Sequence, residues 1–144
     1  MYDLVGVCGL GSGVVAAANI GGAALSAAGD IAVMAACQPF RVKQVGIIIT
    51  TTCTVTPPVV DIYRRPVAGS DTNRVLIKKM TFPAIGSCVA GNVIYADGLN
   101  TLIKPGEDLI AEVSTAATAG AGHVSWMLEP QSESPMNYTN CIKV

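Results

Sequence analysis

The chain has 144 residues, of which 51% are hydrophobic, 13% charged and 5% aromatic, and its formal net charge is −1. This length suits about one domain with a single core, and an apolar content drawn from Ala, Val and Ile favours β-sandwich packing and wide contact with neighbours. The basic residues are scattered, with adjacent pairs at Arg64 and Arg65 and at Lys78 and Lys79. This pattern excludes the basic footprint of a nucleic-acid-binding protein and a polybasic membrane patch.

Residues 4–29 form an uncharged leader made mostly of Gly, Ala and Val. Such a segment brings few large side chains to a core and loses much backbone entropy when it is ordered. We therefore predict that residues 1–29 are an extended N-terminal arm that is ordered by contact with neighbouring subunits. Residues 30–144 are then predicted to form the folded domain.

Three other interpretations of the leader are disfavoured by its residues. Its only early charge is Asp3, whereas a secretory signal needs a basic first region. Gly9 and Gly13 form a G-x-x-x-G pair, but the leader has too few Leu, Ile or Phe residues for a good membrane span. Gly9 and Gly11 begin a dinucleotide-binding pattern, but Val14 stands where the third glycine belongs, and no amphipathic helix follows.

After the leader, short apolar or alternating runs are separated by turn residues, as in β-strands. Strands are predicted at 30–37, 40–55, 59–65, 74–82, 86–95, 108–115, 120–129 and 138–143, with a short apolar run at 102–103. Gly46 indicates a bulge or bend within the second run, and the run at 108–115 has apolar residues on both faces, which predicts that both are at least partly covered. About eight strands without a helix predict an all-β fold, a single antiparallel β-sandwich of jelly-roll-like type.

The five cysteines, Cys8, Cys37, Cys53, Cys88 and Cys141, are widely spaced and form no C-x-x-C pair. A zinc ribbon and a thioredoxin-like site are therefore disfavoured. Buried free thiols of a protein made in a reducing cytosol are the favoured interpretation, because Cys packs as a small hydrophobe. A disulfide bridge stays open at this point.

The only histidine, His123, lies in a predicted strand. A metal-binding sandwich needs several converging ligands, so one histidine argues against such a site. For nucleophilic catalysis His123 would have to serve Ser87 or Cys88 with Asp97 as the orienting acid, and no G-x-S-x-G turn is present to hold a serine. We predict no catalytic, cofactor-binding or metal-binding residue, no cofactor and no enzymatic function.

The remaining polar and aromatic candidates are also assigned ordinary roles. The acidic residues considered for a glycosidase pair are predicted to be solvated loop carboxylates; they are Glu107, Asp108, Glu129 and Glu133. The N-glycosylation pattern at residues 137–139 matters only in a secreted protein. Trp126 and Tyr95 are predicted to pack in the core rather than to line a sugar-stacking face.

Two stretches of the sequence carry a family resemblance. They are PFRVKQVGIIITTTCTVTPPVVDIYRRP and, later, LIKPGEDLIAEVSTAATAGAGHVSWMLEP. They are similar to the small β-sandwich proteins that coat tailed-bacteriophage heads, called decoration or cement proteins, and the resemblance covers most of residues 30–130. It implies a jelly-roll-like trimer on the capsid surface, with an arm extending over neighbouring subunits. The Gly- and Ala-rich leader departs from this pattern.

The expected function is therefore that of a structural virion protein that decorates and stabilises a phage capsid. Its expected partners are the major capsid protein and further copies of itself, as a trimer, without nucleic acid or membrane. The expected location is the capsid surface, after assembly in the host cytoplasm. The alternative is a carbohydrate- or receptor-binding β-sandwich module of a phage tail or cell surface, which would use exposed aromatics such as Tyr63 or Trp126.

Overall fold

A computed structural model describes residues 15–18 and 23–144 of the chain. In this part the fold is all-β, with ten strands, two short 3₁₀ turns and no α-helix. No helix in these ranges is long and apolar enough to cross a membrane. The strands are β1 (Val15–Ala18), β2 (Ala23–Ala24), β3 (Gly29–Ala35), β4 (Phe40–Thr54), β5 (Val59–Arg65), β6 (Val75–Thr81), β7 (Val93–Ala96), β8 (Thr101–Ile103), β9 (Asp108–Thr115) and β10 (Ala119–Pro130).

The strands form two antiparallel sheets. Sheet A has the order β1-β10-β4-β7, with β2 also paired to β10 and β8 to β4, and sheet B has the order β3-β9-β5-β6. Apart from the short β2 and β8, the first strand pairs with the last, the second with the last but one, and so on inward to the β5–β6 hairpin. This nested pairing is the arrangement of a jelly roll. The predicted jelly-roll-like β-sandwich is confirmed.

Most predicted strands agree with the structure to within two residues, and β5 and β9 agree at both ends. Two predictions need correction. The run at 86–95 begins with a 3₁₀ turn at Ile85–Ser87, so that only its end is a strand, Val93–Ala96. Residues 138–143 form no strand, because this polar segment lies against the turn before β9, where the Asn140 side-chain amide donates to the Pro105 carbonyl at 2.7 Å.

A bulge in β4 sets which of its side chains enter the core. Val42 pairs with Leu128 and Gln44 with Met127, so Lys43 is the extra residue. Val42 therefore points inward before the bulge, and Val45, Ile47 and Ile49 point inward after it, with Val45 fully buried. The prediction of a bulge at Gly46 is wrong, because its pairing with Tyr95 is in regular register.

Strand β9 is covered on both faces, as predicted. Leu109 and Val113 lie in the core between the sheets, and Ile110, on the opposite face, is also 0% exposed. Its register partners on the neighbouring strands are Tyr63 on β5 and Val33 on β3, on the same side of the sheet. Sheet B thus buries apolar area on its outer side as well.

The described part of the predicted arm belongs to the sandwich itself. Strand β1 pairs with β10 at the edge of sheet A. Leu25 is fully buried in the core, and its backbone bonds to Gly120 and Ala117, each at 3.0 Å. Residues 1–14 and 19–22 lie outside the described residues, as do the glycine motif and Cys8. The contact of the arm with neighbouring subunits, and the boundary at residue 30, stay predictions.

Candidate interaction surfaces

The structure does not bring the candidate catalytic residues together. His123 lies on β10, paired with Ile48, and in the described chain no hydrogen bond joins it to Ser87, Cys88 or Asp97. The Cys88 thiol instead lies 3.7 Å from the Pro83 carbonyl oxygen, and burial raises its pKa. Within residues 15–18 and 23–144, no group of three or more His, Cys, Asp or Glu residues is placed to hold a metal ion.

Two of the four acidic candidates are buried, which corrects the prediction that they are solvated. Asp108 accepts two hydrogen bonds from Arg65, both at 2.7 Å, and a third from the Gly69 backbone N–H at 3.1 Å. Glu107 pairs with Arg64 at 2.9 Å and accepts the Lys104 backbone N–H at 2.8 Å. These two carboxylates attach the turn that precedes β9 to strand β5 and to the loop that follows β5.

The other two acidic candidates are more accessible. Glu129 lies at the end of β10, 3.6 Å from the Lys43 ammonium, with both side chains more than a third exposed. Glu133 follows that strand and accepts the Tyr138 hydroxyl, which raises the pKa of the tyrosine. A lysine and a tyrosine are thus the partners of these two carboxylates.

The structure confirms one of the two aromatic predictions and corrects the other. Trp126 is 0% exposed and lies in the core, as predicted, whereas Tyr95 is 59% exposed and lies on the outer side of sheet A. Tyr63 is partly buried beneath Arg74, whose guanidinium carbon lies 4.2 Å from the centre of the ring. Tyr95 was missed because strand β7 is too short to show which of its faces is covered.

The outer side of sheet A presents an area without a charged residue, which we call the uncharged face. Tyr95, Gly46 and Ser125 pair across β7, β4 and β10, and Val93, Ile48 and His123 form the adjacent row. The face is completed by Met127 on β10. It is Gly46, Ile48, Val93, Tyr95, His123, Ser125 and Met127.

Large apolar side chains on this face remain in contact with water. Ile48 is 37% exposed, Val93 52% and Tyr95 59%. Gly46 has no side chain and Ser125 has a small one, so the surface is recessed in the middle of the face. His123 is half-buried here, and its Nδ1 atom is buried without a hydrogen-bond partner. An exposed apolar patch without charged residues is typical of protein contact surfaces.

The outer side of sheet B is charged, and we call it the charged face. One row across its four strands is Asp30, Glu112, Asp61 and Lys79. Three adjacent carboxylates repel one another, and cations from neighbouring positions offset this: Arg74 contacts Glu112 at 2.5 Å, and Lys79 contacts Asp61 at 3.3 Å.

Asp30 lies at the end of the carboxylate row, and within residues 15–18 and 23–144 it forms no salt bridge with a cation. Its pKa is raised, first by burial and then by the negative charges of Glu112 and Asp71. The charged face is a network that the chain largely satisfies internally, whereas the uncharged face offers its apolar side chains to the exterior.

The chain was compared with protein-family models, with curated proteins and with solved structures, and none of them matches it.

Proposed function

We propose that this protein is a structural virion protein that decorates and stabilises the capsid shell of a tailed bacteriophage. The observation that carries the proposal is the uncharged face, where Ile48, Val93 and Tyr95 are 37%, 52% and 59% exposed on one side of one sheet. A face of this kind gains free energy when a partner removes it from water, at roughly 25 cal/mol per Å² of apolar area.

The size of the uncharged face suits repeated rather than single contacts. Three strands about 4.8 Å apart and five residues at about 3.3 Å each span an area of roughly 240 Å². A standard stable interface buries about 800 Å² on each partner. One such contact is weak, but a shell that presents many equivalent positions adds contacts through each oligomer. The proposed partners are the major capsid protein and two further copies of this chain.

Retention on capsids tests the proposal. Phage heads that lack this protein are incubated with the wild-type chain, with Ile48→Lys and with Tyr95→Lys, and bound protein is measured after sedimentation. We expect each variant to bind at least tenfold less, because the contact would bury a lysine without a partner. Val67→Lys is the matched control, since Val67 is 63% exposed and lies in a loop away from this face.

The result that contradicts the proposal is equal retention of the face variants and the Val67 control. Circular dichroism must show that all variants keep the β fold, so that lost binding is assigned to the surface. Failure of the wild-type chain to bind any form of the head also rejects a decorating role.

A carbohydrate- or receptor-binding module is the second candidate, and the exposed ring of Tyr95 favours it. Trp126 is buried and Tyr63 is covered by Arg74, so Tyr95 replaces them as the aromatic on which a sugar would stack. A glycan array with the wild-type chain and Tyr95→Ala tests this function. Binding that is lost in Tyr95→Ala supports it, and an array without signal rejects the carbohydrate form.

A further inference from the structure

The two buried cysteines lie on neighbouring segments that are joined by a backbone hydrogen bond. Strand β4 pairs with β7 from Val45 to Ile48. The segment that precedes β7 contains a turn at Ala90 and Gly91. On the other side of this turn, the Cys53 backbone N–H donates to the Cys88 carbonyl at 2.8 Å.

Both side chains enter the same core. Cys53 is 2% exposed and Cys88 is 0% exposed, and both belong to the core cluster between the sheets. Residues joined by a backbone N–H···O=C bond have neighbouring α-carbons, and a disulfide spans α-carbons about 4.4 to 6.8 Å apart.

We propose that Cys53 and Cys88 form a redox-dependent disulfide that joins the end of β4 to the segment after the Ile85–Ser87 turn. The oxidant is a low-molecular-weight disulfide such as oxidised glutathione. One cysteine thiolate attacks a glutathione sulfur and releases a first glutathione thiolate. The second cysteine thiolate then attacks the protein sulfur of the mixed disulfide and releases the second. Two cysteine thiols are oxidised, one glutathione disulfide is reduced, and the two protons pass to the released glutathione.

The environment of the thiols determines when this reaction occurs. Burial raises the pKa of both cysteines, and Cys88 raises that of Cys53 further. Both groups therefore stay protonated and shielded in the native fold, where exchange is slow. The cross-link forms while the chain folds, or while this end of the sandwich is open, in an oxidising medium. Formation of this disulfide does not depend on the proposed virion function.

The experiment is refolding in defined redox buffers. The full-length chain is unfolded, then refolded with either reduced glutathione alone or a mixture rich in oxidised glutathione, and remaining thiols are alkylated. Oxidation should lower the mass of the unlabelled protein by about 2 Da and yield a linked peptide pair that contains Cys53 and Cys88. Since the bridge closes a loop of about 36 residues, the melting temperature should rise by about 10 °C and return when reductant is added.

A variant with Cys8→Ala, Cys37→Ala and Cys141→Ala leaves only the proposed pair and should give the same mass loss and the same shift. Cys53→Ala and Cys88→Ala, each made in this background, should show neither the mass loss nor the shift in melting temperature. The peptide map of the wild-type chain tests the proposal even if a variant folds poorly. The proposal is overturned if the refolded, oxidised wild-type chain leaves Cys53 and Cys88 fully alkylatable after denaturation. It is also overturned if either cysteine is found linked mainly to a different partner.

Discussion

The ion pair between Arg65 and Asp108 makes the sharpest prediction about stability. Their side chains are only 7% and 3% exposed, and two hydrogen bonds of 2.7 Å join them. In Asp108→Asn the guanidinium stays buried, and its remaining charged partner is Asp71, which is 66% exposed. Breaking one side of a buried pair costs about 3 to 5 kcal/mol. We expect a loss of about 3 kcal/mol, because asparagine keeps one oxygen for the Gly69 backbone N–H.

The double variant Arg65→Met with Asp108→Leu separates this effect from simple loss of packing. Removing both charges avoids an unpaired buried charge, and its main cost is the Gly69 N–H left without an acceptor, about 1 to 2 kcal/mol. The double variant should therefore be more stable than Asp108→Asn. Arg65→Met alone should be among the least stable, since it leaves the buried carboxylate with one backbone donor.

Urea unfolding followed by tryptophan fluorescence measures these changes, because the only tryptophan is fully buried. Glu129→Gln is the matched control: it removes an ion pair with Lys43 in which both side chains are more than a third exposed, so its effect should stay within about 0.5 kcal/mol. If Asp108→Asn costs no more than this control, the pair is not desolvated as described, and the reasoning is refuted.

Three further predictions concern backbone space, titration and the described part of the leader. Gly120→Ala should destabilise the fold by more than about 1 kcal/mol, because φ is +141° and a β-carbon would lie 2.6 Å from the Cys53 sulfur. The control Gly86→Ala should have little effect, because a β-carbon there would have nothing within 4 Å. Equal urea midpoints for the two variants would contradict the prediction. Asp30→Asn should be more stable than wild type at pH 7, because a raised pKa means that ionised Asp30 opposes folding. The difference in unfolding free energy should shrink as pH falls through the raised pKa and should vanish below the ordinary value of 3.8. A difference that grows toward acid pH would contradict this prediction. Leu25→Ala should lower the unfolding free energy by about 2 to 5 kcal/mol, since Leu25 is fully buried. Removal of residues 1–29 should then also destabilise the sandwich. A truncated chain as stable as the full one would place the folded boundary at residue 30.

Local alternation of apolar and polar residues was sufficient to predict most strands. Val59–Arg65 alternates with period two between Pro58 and Pro66, and Asp108–Thr115 begins after the turn at Pro105 and Gly106. Both strands have the predicted ends. The segment at 138–143 has some of the same residue types but forms no strand. A strand requires a free sheet edge, and sequence cannot show that Asn140 lies against Pro105 instead.

The interaction surfaces were only partly accessible to prediction. The low charge and the Ala- and Val-rich composition indicated wide contact with neighbours, but they did not place that contact. The bulge at Lys43 changes the parity of β4 and so turns Ile48 outward beside Val93. Tyr95 was assigned to the core, because no local pattern distinguishes the two sides of a short edge strand.

The sequence by itself determined the all-β class, the positions of most strands and the turns at Pro and Gly, because these depend on backbone preferences and on neighbours within a few residues. The tertiary structure decided the nested order of the strands, the burial of Asp108 with Arg65 and the backbone contact between Cys53 and Cys88. These features join residues far apart in the chain. Their free energy depends on register and on exclusion of water, which arise only when the two sheets pack.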